Sequence, residues 1–279
     1  MNRAGERISE HESGRRRIRI LLPVLYVLAE LAILIVLKMQ DFTGGSVLLA
    51  TALMYGAIVL NTAVLLIALL RHFMREKNRE SMRGEDPGFF GVMSGRSVFI
   101  ALALLFTLLA DTVLVLLDRW YLAGVLLFCA VQTFYALSFG SGLRDWLLRI
   151  GNFLLITGIL MILRMGTALN IASAWSITQL TMNAVAAIIL IIRARAQGET
   201  AEDHPGLTLL ALGLVLFFGC DVSVGIYNLS AGIPALSGLC ESAGFLIWVF
   251  YIPAQVLLVF SEMRFLREDS EEHSRRNAE

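Results

Sequence analysis

Uncharged apolar runs alternate with polar joints from Ile20 to Ser261, and most of the runs reach the roughly 20 residues that a helix needs to cross a bilayer. The pattern predicts eight spans. The first two run from Ile20 to Leu37 and from Ser46 to Leu70, turned by Gly44 and Gly45. Residues 98–139 hold the next two, divided only by Asp118 and Arg119, which makes a tight helical hairpin. Spans five and six, Trp146 to Leu163 and Ile171 to Ile192, form a second hairpin joined through Arg164 to Asn170. Leu207 to Asn228 and Ala243 to Ser261 complete the set.

The polar stretches divide the rest. Met1 to Arg17 lacks periodicity and reads as a disordered or interfacial tail. The basic cluster that ends it, followed by an apolar run, resembles a signal peptide, but the core is too long and no small-x-small cleavage site follows, so it stays as span one. Arg71 to Arg96 is the longest connection, and its Gly and Pro content predicts a loop with at most one turn of helix. The organisation expected is a tail over 1–17, a transmembrane domain over 18–261 and a charged tail over 262–279.

With 57% hydrophobic and 16% charged residues, the chain is too apolar for a soluble fold and belongs to the all-α class, as a polytopic membrane helical bundle. Cys129, Cys220 and Cys240 are far apart and lack CxxC spacing, so they read as small packing residues rather than a disulfide or zinc framework. The net charge is zero, yet its distribution is informative. If both termini are cytoplasmic, 20 of the 23 Lys and Arg fall in inside segments and only Lys38, Arg119 and Arg164 outside, as the positive-inside rule requires. Localisation is therefore expected in a bacterial cell membrane with cytoplasmic termini. The basic segments hold that topology and touch anionic lipid headgroups; no nucleic-acid partner is indicated, and the oligomeric state is not specified.

Candidate chemistry lies in the spans. Glu30, Asp111 and Asp221 sit in spans that run outward, each about 10 Å short of the outer end at 1.5 Å per residue. Carboxylates are expensive in hydrocarbon and should face a protein interior or wet cavity, either as functional groups or as hydrogen-bonding contacts between helices. Other polar residues form stripes. Thr107, Asp111 and Asp118 share a face of span three, Gln132 and Tyr135 one of span four, Ser176, Gln179 and Asn183 one of span six, and Tyr251 and Gln255 one of span eight. Pro253 should kink that last helix beside them. His11, His72, His204 and His273 all lie in polar segments or at a membrane edge, so no intramembrane metal site is expected, and no cofactor motif is present.

The stretch LLADTVLVL followed by Gly124, Phe128, Gln132 and Tyr135 resembles the hairpin of the YhhN family, eight-helix membrane proteins whose characterised animal members are lysoplasmalogenases. Its pattern is Gly-Asp in one helix and Gly-x3-Phe-x3-His-x2-Tyr in the next. Gly213 to Ile226 is similar to the family's second acidic segment and Tyr251 to Ser261 to its last helix. Here Ala110 precedes the first Asp, Cys220 the second, and Gln132 replaces the His. The resemblance implies cleavage of the vinyl ether of a lysophospholipid, with Asp111 and Asp221 as catalytic acids. One would be kept in the acid form to donate a proton and the other ionised to steer water and stabilise the cation. Gln132, Tyr135, Tyr251, Gln255 and Glu30 are then substrate-orienting. The alternative is a non-enzymatic or transport-type membrane protein that uses the buried acids for proton or solute coupling.

Overall fold

The computed structural model describes residues 3–81, 95–117, 119–198, 200, 203–230 and 234–276. Its helices are α1 Arg3–Thr43, α2 Val47–Ser81, α3 Gly95–Asp111, α4 Tyr121–Ser138, α5 Leu143–Ile162, α6 Ala168–Ala196, α7 Pro205–Ser230 and α8 Cys240–Arg276. A π-helical turn, Thr112–Leu116, follows α3, and a 3-10 turn, Pro234–Leu239, precedes α8. Eight of the described segments are long and apolar enough to cross a membrane, as the hydropathy pattern predicts. Asp118 in the α3–α4 joint and residues 82–94 of the long polar connection lie outside the described residues.

Three helices are longer than their apolar cores. α2 continues through Arg71 and His72 to Ser81, where a loop is expected, because every Gly and Pro of that connection lies at Gly84 or beyond and the residues before it are strong helix formers. α8 likewise runs through Pro253 and on to Arg276, so the segment after Ser261 begins as helix and its first residue, Glu262, is fully buried. α1 is helical from Arg3, including the stretch read as an irregular or interfacial tail.

The chain divides into two compact units, Met1–Leu53 and Met54–Glu279. In the first, α1 ends at a left-handed Gly44 (φ +66°), with the Gly45 N–H donating to the Gln40 carbonyl, and Lys38 pairs with Asp41 at 2.7 Å. Tyr26 and Glu30, one turn apart on one face of α1, are both buried.

In the second unit, α3, α4, α6, α7 and α8 close a ring in which each packs on the next and α8 returns to α3. α5 stands outside the ring against α6, with Leu147, Leu154 and Leu155 exposed for lipid. The α7–α8 hairpin is the tightest seam. Gly206 faces the Phe265 ring, Gly213 faces Leu258 and the Ala254 carbonyl, Gly219 faces Phe250, and Gly244 faces Tyr227. Each step up α7 is matched by a step down α8, which is the register of two antiparallel helices brought close by missing side chains.

That register is testable at Gly213, where an added Cβ already meets Leu258 at 3.0 Å and the Ala254 carbonyl oxygen at 3.3 Å. Gly213→Leu should separate α7 from α8 and destabilise the detergent-solubilised protein by about 1–3 kcal/mol, the usual effect of overpacking. A thermal melt with an unchanged midpoint would place α7 elsewhere.

Candidate functional site

Asp111 is the last residue of α3 before the π turn, an irregularity that is rare and often found at functional positions. It is 4% exposed, and the Tyr251 hydroxyl of α8 donates to its Oδ2. Asp221 comes from α7, is half-buried, and lies within electrostatic reach of Asp111 and Tyr251. Its neighbour Cys220 is buried and faces the same group. The acids of the third and seventh spans are thus brought together with a tyrosine from the eighth.

Aromatic rings wall this group. Trp248 and Phe217 both meet Tyr251 edge to face, with centroids at 5.4 and 5.9 Å, and Phe128 of α4 meets Phe217 at 5.9 Å. Trp248, Tyr251 and Gln255 share one face of α8 by helical spacing, so the residue pattern that packs the hairpin also aims the hydroxyl. One turn further along that face Gln255 borders a small cavity of about 10 Å³ with Thr107, Asn61 and Thr62, room for about one water. Thr107 and Thr62 donate to carbonyls of their own helices, at 2.9 and 3.0 Å, while the Gln255 Nε2 has no protein acceptor. A polar, water-sized space therefore adjoins the turn of α3 that carries Asp111.

Gln132 and Tyr135 face elsewhere in the second unit. Gln132 of α4 is fully buried and accepts, through its backbone and side-chain oxygens, from Asn183 Nδ2 of α6 at 2.8 and 3.2 Å. Tyr135, one turn on, is fully buried within electrostatic reach of Glu262. Glu30 belongs to the first unit.

His72, read as an edge residue, is buried within the span Val47–Arg75. Even so, no group of three or more His, Cys, Asp or Glu placed to hold a metal occurs among the described residues. Sequence reasoning missed Phe217 and Trp248, whose only trace is their helical spacing from Asp221 and Tyr251, and Arg149, which it counted with the inner basic residues although it is 1% exposed.

The Tyr251–Asp111 bond predicts non-additive stabilities. Tyr251→Phe should cost about 1–3 kcal/mol, because it strips a donor from a buried carboxyl group. In an Asp111→Leu background the same change should cost at least about 1 kcal/mol less. Thermal unfolding of the four proteins measures the cycle, and equal costs in both backgrounds would mean that the pair is not bonded.

A family profile matches residues 87–262, described as the YhhN family. Comparison with curated proteins and with solved structures gives no match. The matched region holds Asp111, Asp221 and Tyr251 and spans α3 through the apolar part of α8, well over half of the chain. The chain therefore belongs to the YhhN family.

Proposed function

We propose that this protein is an integral membrane lysolipid hydrolase of lysoplasmalogenase type. The observation that carries the reading is the convergence of Asp111 and Asp221 on Tyr251 inside an aromatic-walled ring of helices. Hydrolysis of a vinyl ether starts with proton transfer to the enol ether carbon remote from oxygen. The resulting oxocarbenium ion takes up water, and the hemiacetal collapses to a fatty aldehyde and the glycerol hydroxyl of the glycerophospho-base. Water is the only co-reactant, and no electrons are exchanged.

Asp111, as acceptor of the Tyr251 hydroxyl, is assigned the ionised role: it stabilises the cation and orients water. Asp221, half-buried on the adjacent helix, is assigned the acid. The cavity at Gln255 and Thr107 offers the water a polar station one helical turn from Tyr251 and Asp111. A substrate with one long apolar chain suits such a site, since it enters from the lipid without having to leave it. Membrane lipids surround the protein in a bacterial cell membrane, with both termini cytoplasmic. That orientation rests on the 20 of 23 Lys and Arg that it keeps inside.

Purified protein in detergent, given a lysoplasmalogen, should release aldehyde without any sealed compartment. Asp111→Asn and Asp221→Asn should each reduce the rate by at least about 100-fold, the low end of what a positioned acid or base contributes. Full activity in either variant would remove that residue from the mechanism. No aldehyde from the wild type, together with substrate movement across sealed vesicles, would favour transport instead. A reporter active only in the cytoplasm, fused after Glu279, should be active, and silence would reverse the topology.

A further inference from the structure

A second polar centre lies where α5 packs on α6. Arg149, about 9 Å along α5 from Leu143, is 1% exposed and points at α6. Its Nη1 donates to the side-chain oxygen of Gln179 and, at 3.4 Å, to the Gln179 carbonyl, and the Trp146 ring lies 5.7 Å from the guanidinium carbon. Among the described residues no carboxylate comes within ion-pair distance of it. Asp145, one turn earlier, is in electrostatic reach but accepts the Gly142 N–H at the start of the helix.

The hydrogen-bonding capacity left over is mostly that of donors. Arg149 Nε, Gln179 Nε2 and Gln132 Nε2 are buried without acceptors, against one acceptor of the same group, Asn183 Oδ1, that is buried without a donor. Reversing the amides does not remove the imbalance. The oxygen of Gln179 must face Arg149, and the oxygen of Gln132 takes the Asn183 amide, so the nitrogens are left over in both. Gln179 and Asn183 are one turn apart on α6, so the guanidinium and the Gln132 amide meet successive turns of one face of α6. A cation and two N–H donors in a membrane interior require a negatively charged oxygen ligand. Around Arg149, α5 exposes Leu147, Leu148, Ile150, Leu154 and Leu155, so this side of the α5–α6 contact borders hydrocarbon rather than water.

We propose that Arg149, with the amides of Gln179 and Gln132, is a binding site for a phosphate oxyanion, the phosphodiester of a membrane lysophospholipid. It goes beyond the hydrolytic reading, because binding at this seam needs no cleavage. The planar guanidinium matches two phosphate oxygens, and Trp146 fixes its plane.

The purified full chain in a neutral detergent is titrated with 1-oleoyl-lysophosphatidylcholine, an ester that a vinyl-ether hydrolase does not consume. Parallel titrations use phosphate-free 1-oleoylglycerol and inorganic phosphate at matched ionic strength. The lysophospholipid should raise the thermal midpoint and change tryptophan emission, the emission change vanishing in Trp146→Phe. Oleoylglycerol should do neither. Arg149→Gln should weaken the lysophospholipid response by at least about tenfold.

Gln179→Glu gives Arg149 a carboxylate of its own. It should raise the midpoint of the lipid-free protein and abolish the response, a combination that a purely structural arginine does not produce. A response to inorganic phosphate alone keeps the oxyanion site and makes free phosphate its occupant. Equal responses to the two oleoyl lipids, or a lysophospholipid response intact in Gln179→Glu, overturn the proposal, whatever the outcome of the aldehyde assay.

Discussion

A polar side chain inside a bilayer has no water to fall back on, so it must be satisfied by another part of the protein. In this fold the bond from Tyr251 to Asp111 meets that constraint for the most expensive group in the third span, and in doing so it fixes α3 against α8. The glycine-lined α7–α8 seam then sets where Asp221 must be, because the register that places Gly219 against Phe250 also places Cys220 and Asp221 beside Tyr251. Three helices are locked by a polar contact and a steric one acting together. Van der Waals fit provides closeness in lipid, and the hydroxyl–carboxyl bond provides direction.

The α4 stripe shows how one helix serves several contacts at once. Gly124 lets the Leu114 side chain occupy the space where a Cβ would stand, so the α3–α4 hairpin closes directly over the π turn. Phe128, one turn on, reaches Phe217 and through it Tyr251. Gln132 turns to Asn183, and Tyr135 is buried near Glu262. The spacing Gly-x3-Phe-x3-Gln-x2-Tyr is therefore a line of contacts down the inner face of one helix. Of its four members, Phe128 is the one that packs toward Tyr251, through Phe217. Gln at the third position uses its oxygen to accept from Asn183, a role that an amide fills without any proton exchange.

Much of this was legible in the sequence. Length of apolar run and the rarity of charge within it fix the number of spans, because the bilayer imposes one length scale on every helix. The acids were conspicuous for the same reason: a carboxylate at that depth has few structural excuses. The partners of those acids were less legible. Tyr251 was visible as a polar residue on a helix face, but which of several tyrosines would meet Asp111 depends on the α7–α8 register, and that register is written in small residues that also occur where no contact is made, as at Gly56, Gly151 and Gly158. The helical extensions beyond the membrane were hidden by averaging, since the Gly and Pro from Gly84 onward were pooled with the helix formers before them.

Arg149 escaped sequence reading for a different reason. Counting positive charge assigns every Arg near a span end to the inner surface, and a long side chain usually obliges by snorkelling outward. Two features oppose that here. Trp146 stands one turn earlier on α5 and lies against the guanidinium, while α6 presents a glutamine whose side-chain and backbone oxygens both accept from it. Once the guanidinium is drawn inward, the apolar outer face of α5 covers it, and leaving would expose those two acceptors to hydrocarbon. The bundle thus has an acidic centre among α3, α7 and α8 and a basic one where α5 packs on α6. Along α4, Phe128 reaches Phe217 beside Tyr251, and Gln132, one turn away, meets Asn183. The acidic and basic groups are held on separate helices, and each is left to its own chemistry.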